Sequence, residues 1–321
     1  MPTLKDLRSE AKVKGVKGYS KMKKADLESA LSSVGTPHVI TTPAVADLRD
    51  LVKLGVAKDV RVIGGGLTLI LGDNTKILPY LASESVDVIW TDPPYGHSNH
   101  DDDLNARLND HRGLEQKPIA NDDADGMRRV VDNMLTEAAR ILKQDCCCCC
   151  CCCCGGGPRP TFAWVADRMD KKGLRFFHSV IWDKKNPGLG WRYRRQHEMV
   201  MIAHRVGGKL AWANDAIAAR NVFDMMPPRD RSHPNEKPLG MVKHFLQLHS
   251  KPGDMVCDPF LGGGTTGVAA AEMGRRFIGI ELDEEHFETA CRRVERAYTQ
   301  PDFFVPASFP KPQQLSLIAA E

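Results

Sequence analysis

The sequence predicts an α/β protein built on a doubly wound, mostly parallel β-sheet, and three observations support this class. Apolar strand patterns alternate with amphipathic helix patterns over residues 61–300, a glycine-rich loop joins one strand to the following helix, and 321 residues suffice for one large domain with a small appendage. Such alternation is typical of βαβ units, in which a helix carries the chain between parallel strands.

The large domain begins with the apolar segment LTLILGD, a predicted strand ending at Asp73, and a helix follows near residues 76–81. The next strand, VDVIWTDPPYG, runs into a turn at two prolines. The remaining predicted elements are a helix over 123–143, a cysteine strand, a helix near 162–170, strands LRFFHSVIWD and HEMVMIAH, a helix over 239–249, strand DMVCDPF, a glycine-rich loop and helix, strand RFIGIEL and a helix over 283–297. Residues 301–321 form a proline-rich tail with no assigned role.

Residues 1–35 are predicted to form a separate small helical module, joined to the large domain by a linker over residues 36–60 that leads to a short helix. Leu4 and Leu7 share one helical face, and Leu27 and Leu31 share another after the loop GVKGYSK. The module carries eight lysines or arginines against four acids, concentrated around that loop. On charge alone, a solvated basic face is the favoured interpretation.

Composition limits the class of protein. The net charge of +3 is too small to indicate nucleic-acid binding by itself, so the distribution of basic residues must carry that argument. The first residues lack an apolar signal core, and no charge-free run is long enough to span a membrane. We therefore expect an intracellular, cytoplasmic protein.

The most unusual stretch of the sequence is the unbroken cysteine run Cys146–Cys154, which precedes a triple-glycine turn. Along an extended strand, side chains on one face lie about 6.6 Å apart, whereas a disulfide needs Cβ atoms about 4 Å apart. Structural zinc sites draw ligand pairs from separate places in the chain. A strand buried on both faces is therefore the main prediction, and a metal or redox site is the alternative.

The segment DPFLGGGTTGVAAAEMGRRFIGIELD places Gly262, Gly264 and Gly267 in a GxGxxG spacing between a strand and a helix. Glycines let the backbone approach a bound ligand, and Glu281 ends the next strand, where a carboxylate can accept hydrogen bonds from ribose hydroxyls. A nucleoside-containing cofactor is predicted. The glycines alone leave open a dinucleotide, S-adenosylmethionine, or a structural turn without a ligand.

The segment TDPPYG delivers an acid, two prolines and an aromatic ring to the end of a strand. Methylation of an exocyclic amino group needs such a set, because hydrogen-bond acceptors must localise the nitrogen lone pair that the base delocalises. The Asp92 carboxylate and the Pro93 carbonyl supply acceptors, the prolines restrict the turn, and Tyr95 offers a face for an extruded base. The alternative is a simple turn with a packed tyrosine.

These motifs resemble the DNA amino-methyltransferases. TDPPYG, HPNEKP at 233–238, DPFLGGGTTG at 258–267 and IGIELD at 278–283 follow the order of the permuted group, in which the catalytic motif precedes the cofactor motif. The resemblance spans residues 62–300. It implies a Rossmann-like fold, S-adenosylmethionine as methyl donor and no covalent enzyme intermediate. Phage and prophage members also look similar in carrying a cysteine-rich strand, although KQD replaces their more usual Pro-Gly-Gly turn.

The resemblance also implies residue roles. The target base is held by the catalytic residues Asp92, Pro93, Pro94 and Tyr95. The donor pocket is bordered by Asp73, Lys237, Pro238, Asp258, Phe260, Gly262, Gly264, Thr265 and Glu281. An acid before the double proline favours N6 of adenine in double-stranded DNA as the acceptor. Cytosine N4, RNA, and a non-catalytic nucleic-acid-binding protein with the same fold are the alternatives.

Three regions are candidates for contact with DNA. Residues 1–35 are similar to the helix-extended-helix modules of transcription terminator Rho and SAP domains, which implies non-specific nucleic-acid contact. Segments 97–125 and 186–232 are candidate recognition regions, since the first is polar and the second combines cations with aromatics. The candidate basic residues are Lys14, Lys17, Lys21, Lys23, Arg192, Arg194 and Arg195. No metal is expected, and a cognate restriction nuclease and a homodimer are further expectations of the resemblance.

Overall fold

The structure is a computed structural model that describes residues 3–4, 7–8, 19–27, 45, 47–95, 120–121, 123–152, 161–185, 196–210, 212, 219–226 and 236–299. The chain divides into two compact units, Met1–Pro43 and Ala44–Glu321. None of the helices in the described ranges combines the length and the hydropathy that a membrane span requires.

The first unit has a small apolar core. Leu7 and Leu27 are buried against each other, with Tyr19 and Met22 partly buried beside them. Residues 24–27 are helical. The two leucines that the sequence assigns to different helices therefore meet in one core.

The second unit contains the sheet and the larger helices. Its strands are β1 (Asp59–Ile63), β2 (Leu67–Leu71), β3 (Val86–Thr91), β4 (Leu142–Cys152), β5 (Leu174–Asp183), β6 (His197–Arg205), β7 (Val222–Asp224), β8 (Met255–Asp258) and β9 (Arg276–Glu281). Its α-helices are α1 (Asp50–Lys53), α2 (Asn74–Ile77), α3 (Ala124–Ile141), α4 (Thr161–Lys171), α5 (Leu239–His249), α6 (Thr265–Glu272) and α7 (Glu284–Thr299). Short 3-10 turns lie at Gly64–Gly66 and Leu78–Tyr80.

The nine described strands form one sheet in the order β1-β2-β9-β8-β3-β4-β6-β5-β7. The neighbours β2/β9, β9/β8, β8/β3, β3/β4 and β5/β7 are parallel, whereas β1/β2, β4/β6 and β6/β5 are antiparallel. The sheet is mostly parallel, as the sequence predicted. Antiparallel pairing is confined to one edge and to the β4, β6, β5 region.

Helices cover both faces of the sheet. On one face, α2, α3 and α4 pack over a core that includes Ile89 of β3. On the other face, α5, α6 and α7 pack over a core that includes Val88 and Trp90 of the same strand. Adjacent residues of a strand point to opposite faces, so the apolar run in β3 is buried from both sides. This double covering is the doubly wound arrangement that the alternating sequence predicted.

The cysteine run lies in β4, between β3 and β6 in the interior of the sheet. Cys147 packs in the core on one face and Cys148 in the core on the other, and both are fully buried. Cys146 is half-buried, and burial raises the pKa of its thiol to about 12. Cys146, Cys257 and Cys291 are free thiols. The prediction of a strand covered on both faces is confirmed for these residues, while Gly155–Gly157 lie outside the described ranges.

Some elements were not anticipated. Strands β1 and β7, at the two edges of the sheet, are short and carry weak apolar patterns. By contrast, the short helix predicted at the end of the linker is present as α1, and its Leu51 is fully buried in the large core. The KQD tripeptide forms no turn, because it belongs to β4, where the register with β3 shifts between Val86 and Val88.

Candidate active site

The carboxyl ends of β2, β9, β8 and β3 meet at one edge of the sheet, since these four strands are parallel. The chain leaves β8 toward β9 and leaves β3 toward β4, on opposite sides, so β8 and β3 mark a topological switch point. Open α/β sheets bind ligands in the crevice outside such a point. The glycine-rich loop follows β8 and TDPPYG follows β3, which brings the two sequence motifs together.

Asp258, at the end of β8, connects these two motifs. Its Oδ1 accepts hydrogen bonds from the Thr91 hydroxyl at 3.0 Å and from the Phe260 backbone N–H at 3.1 Å. Its Oδ2 accepts from the Thr266 hydroxyl at 2.6 Å. The residue is 3% exposed, and burial raises the pKa of its carboxyl to about 7 because neutral donors compensate the lost hydration only in part.

Glu281 ends β9 beside the glycine-rich loop. Its Oε2 accepts a hydrogen bond from the Gly262 N–H at 2.7 Å, and its Oε1 accepts from the backbone N–H groups of Leu282 and Asp283, both at 2.9 Å. Burial raises the pKa of this carboxyl. A carboxylate offers about four acceptor positions, so Glu281 retains capacity for a ligand hydroxyl.

Two glycines set the path of the loop. Gly262 and Gly264 have φ angles of 53° and 84°, in the left-handed region that favours glycine. A Cβ at Gly264 would lie 2.8 Å from the Cα of Ala290 in α7, whereas a Cβ at Gly262 would meet no atom within 4 Å. The loop is therefore packed tightly at Gly264 and open at Gly262. Thr265 follows as the first residue of α6 and is buried.

Asp92 leaves the end of β3 and forms a cluster with Tyr95 and Lys237. The Lys237 ammonium donates to Asp92 Oδ2 at 2.6 Å and to the Tyr95 hydroxyl oxygen at 2.7 Å, and the Tyr95 hydroxyl donates to Asp92 Oδ1. Burial raises the pKa of the Asp92 carboxyl, and the positive charge of Lys237 acts in the opposite direction. Pro93 is buried and Pro94 is half-buried in the turn between them.

The segment before α5 connects the cluster with the glycine-rich loop. Pro238 is the N-cap of α5, and the side chain of Lys237 points to the TDPPYG turn. Glu236 accepts a hydrogen bond from the Thr265 hydroxyl at 3.3 Å and another from Arg293 of α7. Consecutive residues of this segment therefore contact the two motifs.

The remaining predicted donor-pocket residue, Asp73, is the N-cap of α2. Its Oδ1 accepts from the Thr75 N–H at 3.0 Å and from the Thr75 hydroxyl at 2.7 Å. The adjacent Asn74 donates from Nδ2 to the Pro259 carbonyl at 2.8 Å and so fixes α2 beside the glycine-rich loop. Asp73 thus lies near the site, and its role toward a donor stays a prediction.

The predicted DNA contacts are described only in part. Lys21 and Lys23 are exposed in the first unit. The predictions for Lys14, Lys17, Arg192, Arg194 and Arg195 fall outside the described residues, as do segments 97–119 and 186–195. Within the described ranges, no cluster of three or more His, Cys, Asp or Glu side chains is arranged to hold a metal ion.

Sequence reasoning missed two acids of the site. Glu198 is the second residue of β6 and is 7% exposed, and its Oε2 lies 3.4 Å from the Lys237 ammonium. The signal for Glu198 was an acid at the entrance to the apolar strand MVMIA. Glu236 stood inside the motif HPNEKP and could have been noted beside the lysine.

The chain is similar in sequence to known proteins. A family model described as DNA methylase matches residues 86–292. Type II methyltransferase M2.DpnII of Streptococcus pneumoniae is 26% identical over 248 residues, which cover 71% of this chain and 90% of the relative.

Solved structures confirm the fold. The M1.HpyAVI-SAM complex covers 70% of this chain and 97% of its own, with a TM-score of 0.52 and 24% identity. The PvuII DNA methyltransferase, described as cytosine-N4-specific, covers 73% of this chain and 90% of its own, with a TM-score of 0.56 and 18% identity. Both share the Rossmann-like methyltransferase architecture predicted from the sequence.

Proposed function

The chain belongs to the N6/N4 DNA methylase family, and from this premise we propose that it transfers a methyl group from S-adenosylmethionine to the N6 amino group of adenine in double-stranded DNA. The observation that carries the proposal is the position of Asp92 and the glycine-rich loop at one switch point, connected through Asp258 and Thr91 at 3.0 Å. Asp92, which can accept hydrogen bonds from an amino group, therefore lies next to the glycine-rich loop, which is suited to a nucleoside ligand.

On the acceptor side, Asp92 and the Pro93 carbonyl receive the two hydrogens of the amino group. This withdraws the nitrogen lone pair from the ring and orients it for in-line attack. Each turnover replaces one of these hydrogens by the methyl group, and the released proton leaves through the Asp92 carboxylate to water. Tyr95 stacks on the extruded base, and Pro94 restricts the turn.

On the donor side, the residues present fit S-adenosylmethionine, which supplies a sulfonium methyl group when bound. Glu281 has acceptor capacity left for ribose hydroxyls, and Gly262 presents an open backbone with a positive φ. Phe260, Gly264 and Thr265 border the same loop. Asp258 holds the loop, and Asp73 and Pro238 begin the neighbouring helices α2 and α5.

DNA contacts outside the site remain part of the proposal. The exposed Lys21 and Lys23 belong to the small unit, for which we propose non-specific phosphate contacts. Segments 97–125 and 186–232 are proposed to carry sequence recognition. A DNA substrate also supports an intracellular, cytoplasmic location, while a cognate restriction nuclease and a homodimer stay predictions.

The second candidate function is methylation of cytosine N4. The similarity in fold to the cytosine-N4-specific PvuII enzyme favours it, since both bases present an exocyclic amino group to the same kind of acceptor. Asp92 before the double proline is the reason that adenine is preferred here.

The test is identification of the product. Unmethylated duplex DNA is incubated with the protein and S-adenosylmethionine carrying a labelled methyl group, then digested to nucleosides and analysed by mass spectrometry. We expect labelled N6-methyladenine. Labelled N4-methylcytosine would establish the second candidate, and an unlabelled digest would contradict both.

A further inference from the structure

The side chain of Lys237 is directed toward the acceptor acid. Its ammonium contacts Asp92 Oδ2 at 2.6 Å and the Tyr95 hydroxyl at 2.7 Å, and it lies 5.2 Å from the centroid of the Tyr95 ring. The side chain is only 6% exposed. A buried ammonium requires partners for its charge and hydrogens. Both partners belong to the TDPPYG turn, which the sequence analysis had not connected with this lysine.

A second acid also lies beside Lys237. Glu198, whose side chain is 10% exposed, places Oε2 at 3.4 Å from the Lys237 ammonium and Oε1 at 3.2 Å from the ammonium of Lys184. The order Lys184, Glu198, Lys237, Asp92 therefore alternates in sign. In this chain of ion pairs, each charge lies beside one or two opposite charges, and the chain ends at Asp92, the carboxylate proposed to accept from the base.

We propose that Lys237 is a positioning residue for Asp92 and Tyr95, held in place by Glu198, rather than a residue of the donor pocket. The inference rests on the proposed function, because it concerns the same acceptor carboxylate. Lys237 fixes Oδ2, and the Tyr95 hydroxyl fixes Oδ1, so the carboxylate plane is set before a base arrives. Each oxygen keeps a lone pair for an amino hydrogen.

The charges around Asp92 determine how its titration responds to mutation. Burial raises its pKa, Lys237 lowers it, and the like charge of Glu198 raises it. Asp258, on the neighbouring strand, is a further acid whose titration responds to Asp92. Glu198 is itself subject to burial, but Lys237 and Lys184 together outweigh this effect and lower its pKa. Removing Lys237 must therefore raise the Asp92 pKa, and neutralising Glu198 must lower it.

The experiment measures kcat against pH and the affinity for S-adenosylmethionine in Lys237→Met. We expect the acid limb of the kcat profile to move to higher pH by about one unit or more, since an opposite charge at this distance shifts a carboxyl by about 1–3 units. The donor Kd should change by less than about threefold, because lost hydrogen bonds to the donor would cost more than that. In Lys237→Arg, which keeps the positive charge, the acid limb of the kcat profile should stay close to its wild-type pH.

Lys243→Met is the matched control. Lys243 lies on α5, close to Lys237 in the chain, but its ammonium pairs with Glu272 Oε2 at 2.5 Å and the side chain is 34% exposed. Its profile should coincide with that of the wild type. Glu198→Gln should shift the limb in the other direction, to lower pH, because the amide keeps an oxygen for Lys237 and removes the like charge.

A second readout does not depend on turnover. The carboxyl ¹³C shift of Asp92, assigned by its loss in Asp92→Asn, is followed against pH by NMR in the free protein and should report the same opposite shifts in Lys237→Met and Glu198→Gln. The inference therefore stays testable even if the wild type transfers no methyl group, a result that would contradict only the proposed function. Weaker donor binding in Lys237→Met with an unmoved Asp92 pKa would overturn the inference. If that variant does not fold, an Asp92 titration that is unchanged in Glu198→Gln would overturn the inference equally.

Discussion

The two halves of the site hold their acids by different means. On the donor side, Asp258 and Glu281 accept hydrogen bonds from hydroxyl and backbone N–H groups, which carry no charge. On the acceptor side, Asp92 and Glu198 are paired with the ammonium of Lys237. Both halves lie at the same edge of one sheet, so the difference arises from the partners and not from the depth of burial alone.

The difference has a consequence for charge. Neutral donors stabilise a carboxylate less than a cation does, so burial raises the pKa of Asp258 to about 7 and also raises that of Glu281. On the acceptor side the neighbouring lysines outweigh burial at Glu198 and lower its pKa, whereas at Asp92 Lys237 offsets burial only in part and the pKa stays raised. The donor side should therefore tolerate a neutral side chain of the same shape, whereas the acceptor side depends on ionisation.

The largest effect is expected at the acceptor acid. Asp92→Ala removes the group that localises the amino lone pair and should lower the rate of methyl transfer by about 10³-fold or more. The Kd for S-adenosylmethionine should stay within about threefold of the wild type, because the side-chain hydrogen bonds that the structure describes for Asp92 go to Lys237 and Tyr95. Single-turnover transfer and calorimetric titration measure the two quantities.

The matched variant Asp92→Asn keeps the shape and removes the charge. We expect it to be nearly as inactive as Asp92→Ala, because the neutral amide lacks the negative charge that pairs with Lys237. Turnover near that of the wild type in either variant would contradict the assignment of Asp92. Thermal unfolding of each variant checks that the loss of rate is not a loss of fold.

The second effect tests the donor side. Glu281→Ala removes the acceptor proposed for the ribose hydroxyls and also the partner of the Gly262 N–H. The loss of hydrogen bonds to a charged group costs about 1.5–3 kcal/mol, so the donor Kd should rise by roughly 10-fold to 100-fold. Glu281→Gln, which keeps an oxygen acceptor, should lose less. Titration with S-adenosylmethionine measures both.

An exposed acid in the same region provides the control. Glu284 is the first residue of α7, and Glu284→Ala should leave the donor Kd unchanged. If Glu281→Ala binds the donor as the wild type does, Glu281 serves only to hold the loop. Another residue on the donor side would then have to bind the ribose hydroxyls.

The sequence predicted the parts of the site that lie in continuous stretches. The glycine-rich loop was recognisable because Gly262 and Gly264 supply backbone angles that few other residues adopt, within a few positions of a strand and a helix. TDPPYG was recognisable because an acid, two prolines and a ring at a strand end are a rare combination. Burial of β3 and β4 followed from their apolar runs.

The sequence could not predict which side chains would meet across the sheet. Lys237 lies 145 positions from Asp92, and its side chain could face either neighbouring motif until the chain is folded. Glu198 had no motif of its own, and its importance depends on two lysines from other segments. Edge strands β1 and β7 were missed for a related reason, since their pairing with β2 and β5 stabilises them more than their own pattern does.

The smallest effect concerns stability on the donor side. The Asp258 carboxyl has a pKa of about 7 when folded against 3.8 in the unfolded chain, so between these values the folded protein holds a proton that the unfolded chain has released. The free energy of unfolding therefore falls as pH rises toward 7, with a slope of at most about 1.4 kcal/mol per pH unit. Asp258→Asn resembles the protonated acid and lacks this slope.

We expect Asp258→Asn to gain a few degrees in Tm over the wild type between pH 5 and pH 8, measured by calorimetry. The amide oxygen can still accept from Thr91 and Phe260, and the Thr266 hydroxyl can rotate to accept from the new amide, so few contacts are lost. Asp167→Asn, which removes a carboxylate from an exposed ion pair on α4, is the control for effects that any Asp→Asn substitution has on Tm. Parallel Tm curves for Asp258→Asn and the wild type would mean that neutral donors fully compensate the burial of the Asp258 carboxylate, and the distinction between the two halves would fail.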